Sequence, residues 1–136
     1  MEWKKDNFLV SDSTDLLNLN MIYELLAQTY WATNRPQSTI DDSIKHSLNF
    51  GLYNGNGQIG FARVITDYAT LAWICDVVIH PEFRGQGWGK FLLGCIVEHP
   101  KLKDIKFSLV TKDAHSFYEQ FGFAKGECMK RPLAAV

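Results

Sequence analysis

An almost continuous apolar run, Leu71-Ala72-Trp73-Ile74-Cys75-Asp76-Val77-Val78-Ile79, passes straight into the glycine-rich stretch His80-Pro81-Glu82-Phe83-Arg84-Gly85-Gln86-Gly87-Trp88-Gly89-Lys90. Phe91, Leu92, Cys95 and Ile96 follow at helical spacing until His99-Pro100 stops them. Such a run marks a central strand covered on both faces, and the helix behind it is a crossover that returns the chain to a parallel neighbour. Ile105 to Val110 is the strand available for that pairing. The chain is therefore committed to a strand, loop and helix unit inside a larger sheet.

The remaining segments fill out that sheet. Phe8, Leu9 and Val10 predict a short first strand, which the polar cluster from Ser11 to Asp15 breaks. Leu19, Ile22 and Leu26 predict a helix capped by Asn18 or Asn20 and running to Tyr30 and Trp31, with Asn34-Arg35-Pro36 as its stop. Ser38 with Asp41 imitates a capping box, and Ile40, Ile44 and Leu48 mark the apolar face of a second, short helix. Phe50 to Tyr53 and Gln58 to Ile65 flank Asn54-Gly55-Asn56-Gly57, where Asn-Gly pairs suit the positive φ of a tight hairpin turn. A further turn at Asp67 to Thr70 leads into the central strand. Asp113 is placed to cap a last helix carrying Ala114, Phe117 and Phe121 on one face, with Gly122 at its end, and Phe123 to Arg131 offers one or two edge strands. The order β, α, α, β, β, β, α, β, α, β describes a mixed α/β sheet.

A length of 136 residues, 46% of them hydrophobic, suits a single domain over residues 1–136 with its own core. Lys and Arg number 14 against 15 Asp and Glu, so no general positive field draws in a nucleic-acid backbone. Any anion must be held by a local device. Cys75, Cys95 and Cys128 have no CxxC spacing and suit reduced thiols, and the start Met1-Glu2-Trp3-Lys4-Lys5-Asp6 lacks a signal peptide's apolar stretch. The expectation is a soluble, cytoplasmic protein with no membrane span. His80 and His115 have no second ligand at a recognised spacing, so no metal is expected.

The glycine-rich stretch is such a local device. Glycines let backbone approach a ligand closely, and the positive end of the following helix attracts an anion. Arg84 and Lys90 add charge. A Walker loop is excluded, because Arg84 and Phe91 occupy its diagnostic places, and the dinucleotide fingerprint fails because Lys90 stands where a glycine is needed.

Arg84-Gly85-Gln86-Gly87-Trp88-Gly89 resembles the RxxGxG pyrophosphate motif of the GCN5-related N-acetyltransferases (GNAT), and Val77 to Phe83 resembles that family's preceding strand and connector. Ala114-His115-Ser116-Phe117-Tyr118-Glu119-Gln120-Phe121-Gly122-Phe123 resembles the family's C-terminal AxxFYExxGF signature. Thr29-Tyr30-Trp31, Phe61 to Thr70 and Thr111 to His115 further resemble a small bacterial subgroup of largely unassigned substrate. The resemblance implies a GNAT-like fold, a mostly antiparallel central sheet with one parallel pair flanked by about four helices. It also implies acetyl-CoA as cosubstrate, with the pyrophosphate held by backbone N–H groups of Arg84, Gly85, Gln86, Gly87, Trp88 and Gly89, with Lys90 beside them. Val77, Val78 and Ile79 would pair edgewise with the pantetheine arm, and Thr111 stands where many relatives place an asparagine that touches the coenzyme.

On the same resemblance Tyr118 is the general acid at the coenzyme sulfur, unless it only packs between helix and sheet. Asp76 is either the base for the attacking amine or a structural partner of Arg63. A lone carboxylate in an apolar strand should have a raised pKa unless a cation pairs with it. Tyr30, Trp31, Arg35, Arg63, Asp67 and Tyr68 are expected to line the acceptor side, where aromatic rings and a carboxylate suit a cationic amine and arginines suit an acid group on the same molecule. The expected partner is a small-molecule or peptide amine, with a C-terminal strand edge available for pairing two copies. The competing function is a coenzyme A-binding module without turnover.

Overall fold

The computed structural model describes residues 1–133, and within them six strands form one sheet in the order of the sequence, β1-β2-β3-β4-β5-β6. The strands are β1 (Glu2–Lys5), β2 (Phe8–Ser11), β3 (Leu48–Asn54), β4 (Gly57–Thr66), β5 (Leu71–Ile79) and β6 (Lys106–Ser108). All neighbours are antiparallel except β5 and β6, which pair in parallel. The helices are α1 (Leu19–Ala27), α2 (Gln37–Lys45), α3 (Trp88–Val97) and α4 (His115–Glu119). This is the expected mixed α/β architecture, with α3 as the crossover that makes the parallel pair possible.

Local chemistry moved several element boundaries. The sequence reading placed no strand before Phe8, yet Glu2–Lys5 forms a hairpin with β2 through a turn in which Asp6 adopts φ 54°. Asn18 caps α1, accepting the Met21 N–H at 3.1 Å. The helix stops at Ala27, before Tyr30 and Trp31, because Thr29 turns its hydroxyl back onto the Leu26 carbonyl at 2.7 Å and accepts the Ala32 N–H at 3.1 Å. The capping box expected at Ser38 does not form: α2 begins at Gln37 behind Pro36, and Asp41 accepts a hydrogen bond from the Tyr23 hydroxyl, tying the two helices together. In the β3–β4 hairpin only Gly57 has a positive φ, +129°. Asp113 does not cap α4; the Thr111 hydroxyl accepts the Ala114 N–H at 3.0 Å instead. The edge strands expected between Phe123 and Arg131 are absent among the described residues, so that segment offers no strand for pairing two copies.

One cluster of buried side chains lies between the sheet and α3, including Phe50, Leu52, Val64, Leu92, Leu93 and Ile96; a second, with Ile22, Leu25, Leu26, Ile40, Phe61 and Val78, lies under α1 and α2. Strand β5 serves both. Its register against β4 slips between Phe61↔Val78 and Arg63↔Cys75, so two residues of β5 face one of β4, and Asp76 in this bulge has φ 55°. The extra residue reverses the alternation: Ala72 and Ile74 pack in the α3 cluster, and beyond the bulge it is Val77 and Ile79 that do so, while Val78 turns to α1 and α2. Nor is β5 covered throughout, since Trp73, Cys75 and Val77 are only half-buried. The reason is the cleft they face.

Candidate active site

Strands β5 and β6 stay together for only three residue pairs, Leu71↔Lys106, Ala72↔Phe107 and Trp73↔Ser108. Beyond Trp73 they part, and a cleft of about 570 Å³ opens between Trp73 to Val77 on one side and Leu109 to Ala114 on the other. Backbone groups of β5 on this side have no strand to pair with. The segment after α1 closes a third wall with Tyr30, Trp31 and Arg35, and Tyr118 of α4 closes the fourth.

At the end of β5 the chain enters the glycine loop. Gly85 and Gly87 have φ of +76° and +90°, left-handed values that any other residue would adopt only under strain. A Cβ built at either position meets nothing within 4 Å, so the space above this backbone is open to a ligand. Gly87 is the N-cap of α3, and the N–H groups of Trp88, Gly89 and Lys90 in its first turn have no partner within the helix. Side chains in the loop do other work. Arg84 folds back so that Nε donates to the Ile79 carbonyl at 2.9 Å, Gln86 donates to the Glu82 carbonyl at 3.1 Å, and Trp88 is buried, stacked on Phe8 with ring centroids 3.6 Å apart. Trp88 therefore offers a ligand its backbone and not its indole. Gly89 lies close to Ile79 and the Phe117 ring, which joins the loop to the strand end and to α4.

Asp76 lines the cleft itself, and its side chain is 2% exposed. It is not a lone carboxylate. Oδ2 accepts from Arg35 Nη1 at 2.8 Å and from Arg63 Nε at 2.9 Å, while Oδ1 accepts from Trp31 Nε1 at 3.0 Å. Arg63 also donates through Nη1 to the Ser47 hydroxyl at 3.1 Å. An ionised carboxylate has about four acceptor positions, so three are occupied by this clamp.

The phenol of Tyr118 is pushed up to about 12, first by burial and second by the neighbouring Tyr30. A phenol so shifted stays protonated, as a proton donor must. Burial is also the main cause that raises the Cys75 thiol, opposed by the nearby guanidinium of Arg63.

Of the residues expected on the acceptor side, the structure brings Tyr30, Trp31, Arg35 and Arg63 together around Asp76. It does not bring Asp67 or Tyr68 there. Asp67 organises the β4–β5 turn, accepting the N–H groups of Ala69 and Thr70 at 2.9 and 2.8 Å and the Thr70 hydroxyl at 2.7 Å. Those bonds, from Thr70 above all, hold its carboxyl well below the usual range. Tyr68, at φ 62°, lies under the Lys101 ammonium, 5.6 Å from the ring centroid. Thr111 borders the cleft, and its hydroxyl accepts the Ala114 N–H just ahead of α4. Trp73, Cys75, Lys112, Asp113 and Lys130 line the cleft without having been singled out for it. The almost continuous apolar run of the strand gave no sign that Trp73 and Cys75 would face a cleft, and nothing local marked the two lysines. Among the described residues no group of His, Cys, Asp or Glu is arranged to hold a metal ion, and no helix is long and apolar enough to cross a membrane.

Comparison with known proteins gives a consistent result. The family model described as acetyltransferase (GNAT) domain matches residues 45–125. A provisional acetyltransferase of Gibberella zeae is 31% identical over 144 residues, spanning 88% of this chain and 81% of the relative. An uncharacterized N-acetyltransferase of Porphyra purpurea is 33% identical over 130 residues, spanning 89% and 72%. A solved structure from Xanthomonas campestris pv. campestris, described as a provisional acetyltransferase of the GNAT family, matches with a TM-score of 0.89 at 38% identity over 96% of each chain.

Proposed function

We propose, from the premise that this chain belongs to the GNAT acetyltransferase family, that it is an acetyl-CoA-dependent N-acetyltransferase acting on an amine by direct attack on the thioester. The observation that carries this reading is the parting of β5 from β6, which opens a cleft, lined by the Tyr118 phenol, along the same strand that runs on into the left-handed glycine loop.

Residues of the loop fit a pyrophosphate. The open space at Gly85 and Gly87 and the free N–H groups at the start of α3 form an anion cradle, with the exposed Lys90 ammonium on the same turn. Bound acetyl-CoA would supply the acetyl thioester. Val77, Val78 and Ile79 provide the strand edge for the pantetheine arm, and a backbone N–H of this edge is the donor for the oxyanion. Tyr118 holds a proton at neutral pH and delivers it to the departing sulfur.

Asp76 is assigned to positioning. Held by two guanidiniums and an indole that favour its charged form, it orders the acceptor wall and is a poor collector of the amine's proton. A neutral amine entering the cleft passes that proton to water.

Calorimetric titration with acetyl-CoA tests the reading. Binding by the wild type that Gly87→Trp abolishes, together with thiol release on adding an amine, is the expected result. A folded wild type that does not bind acetyl-CoA would overturn it. Binding without thiol release across a broad amine panel would favour the coenzyme A-binding module.

A further inference from the structure

We infer that the acceptor carries a carboxylate as well as the amine that is acetylated, and that Arg35 holds this carboxylate; the inference rests on the acetyl transfer proposed above. Arg35 and the amine acceptor meet in the same cleft, whose charged lining is Arg35, Arg63, Lys112, Lys130, Asp76 and Asp113. Four positive groups against two negative ones leave the cleft positive, although the whole chain has a net charge of -1. The local sign is thus a property of this wall and not of the protein at large.

The one buried carboxylate that would attract a cationic acceptor is already used. Asp76 is 2% exposed and bonded to two guanidiniums and an indole, so its charge is already compensated and little of it is open to an ammonium group. Arg35 is in the opposite condition. Its side chain is 23% exposed, only Nη1 is engaged with Asp76, and no partner for Nε or Nη2 occurs among the described residues. Those two atoms lie along one edge of the guanidinium, the edge that accepts a carboxylate with two parallel hydrogen bonds. The bond to Asp76 tethers the group at Nη1, so the free edge is kept in the cleft before a ligand arrives, which reduces the ordering cost of binding. The Lys112 ammonium stands 5.3 Å from the centroid of Tyr30 on the same wall, and neither Lys112 nor Lys130 forms an ion pair among the described residues. Trp31 and Tyr30, packed edge to face at 5.0 Å, give the body of the acceptor an apolar surface.

The test is calorimetric titration of the full chain, with coenzyme A present, using phenylalanine against phenethylamine and 4-aminobutyrate against butylamine. The acid-bearing member of each pair is expected to bind at least about tenfold more tightly, the scale of one charge-assisted pair. Arg35→Gln should abolish that preference. Arg35→Lys keeps a positive charge beside Asp76 without the planar edge, so it should fold and still lose most of the preference. Equal binding of acid-bearing and neutral amines, absence of binding by either, or an unchanged preference in either folded variant would overturn the inference. So would tighter binding of 2-aminoethylphosphonate than of the carboxylates. Preference in binding without thiol release from acetyl-CoA would count against the proposed reaction while sustaining this inference; turnover of neutral amines as readily as of acids would do the reverse.

Discussion

The glycine loop at one end of the site and the clamp around Asp76 at the other are built differently. The loop from Arg84 to Lys90 presents backbone: its glycines stand in left-handed conformations, its N–H groups point outward at the start of α3, and its largest side chain, Trp88, is stacked away on Phe8. The opposite end presents side chains drawn from distant segments, with Trp31 and Arg35 after α1, Arg63 on β4 and Asp76 on β5 converging on one carboxylate. A backbone cradle is written in consecutive residues and tolerates change in the side chains it hides. A side-chain clamp tolerates change in the intervening sequence but not in its members.

Mutations should separate the two ends. The largest expected effect is at the clamp: Asp76→Asn suits the positive φ but leaves two guanidiniums without their counter-charge, and should cost about 3 kcal/mol in denaturant unfolding. Coenzyme affinity of the folded fraction should stay near wild type, and a matching loss there would show that the ends are not independent. At the cradle, Gly87→Trp should weaken acetyl-CoA binding by about 100-fold or more, about 2.7 kcal/mol, while the near-ultraviolet signal of Trp31 and the clamp persists. Between the ends, Tyr118→Phe should lower kcat by about 100-fold with little change in acetyl-CoA affinity, at the low end of what a general acid contributes. Full turnover in that variant would remove Tyr118 from the chemistry.

Smaller effects sharpen the contrast. Because burial raises the Tyr118 pKa from 10 to about 12, its stabilising share is complete below pH 10 and is lost as pH rises towards 12. The alkaline limb of kcat should therefore not begin below pH 10 on account of this phenol, and an earlier limb would assign it to another group. Asp67→Ala should loosen the β4–β5 turn yet leave acceptor preference unchanged, since Asp67 bonds only within that turn. A shifted preference would mean the acceptor wall extends further than the cleft.

Legibility in the sequence followed the same division. The central strand, the crossover helix, the glycine loop and the ending at Gly122 were all readable, because each depends on periodicity or on a residue that alone permits a local backbone shape. Gly122, at φ 88°, ends α4 as expected. Several misreadings arose where a short polar side chain had more than one available partner. Thr29 ended α1 early, Asp41 bonded to Tyr23 instead of capping α2, and Thr111, not Asp113, bonded the chain just ahead of α4, which has no side-chain cap. Their residue types fitted the expected roles, and only the neighbours brought by folding selected among them.

Sequence alone determined that this chain forms a mixed α/β sheet with one parallel pair and a glycine loop at the start of its crossover helix, since apolar spacing and glycine conformations act over a few residues. Tertiary structure decided what Asp76 does. The residues alone left Asp76 open as a base or as a partner of Arg63, and only the folded chain brings Arg35, Arg63 and Trp31 onto it together, because ion pairing depends on distance in space and not along the chain.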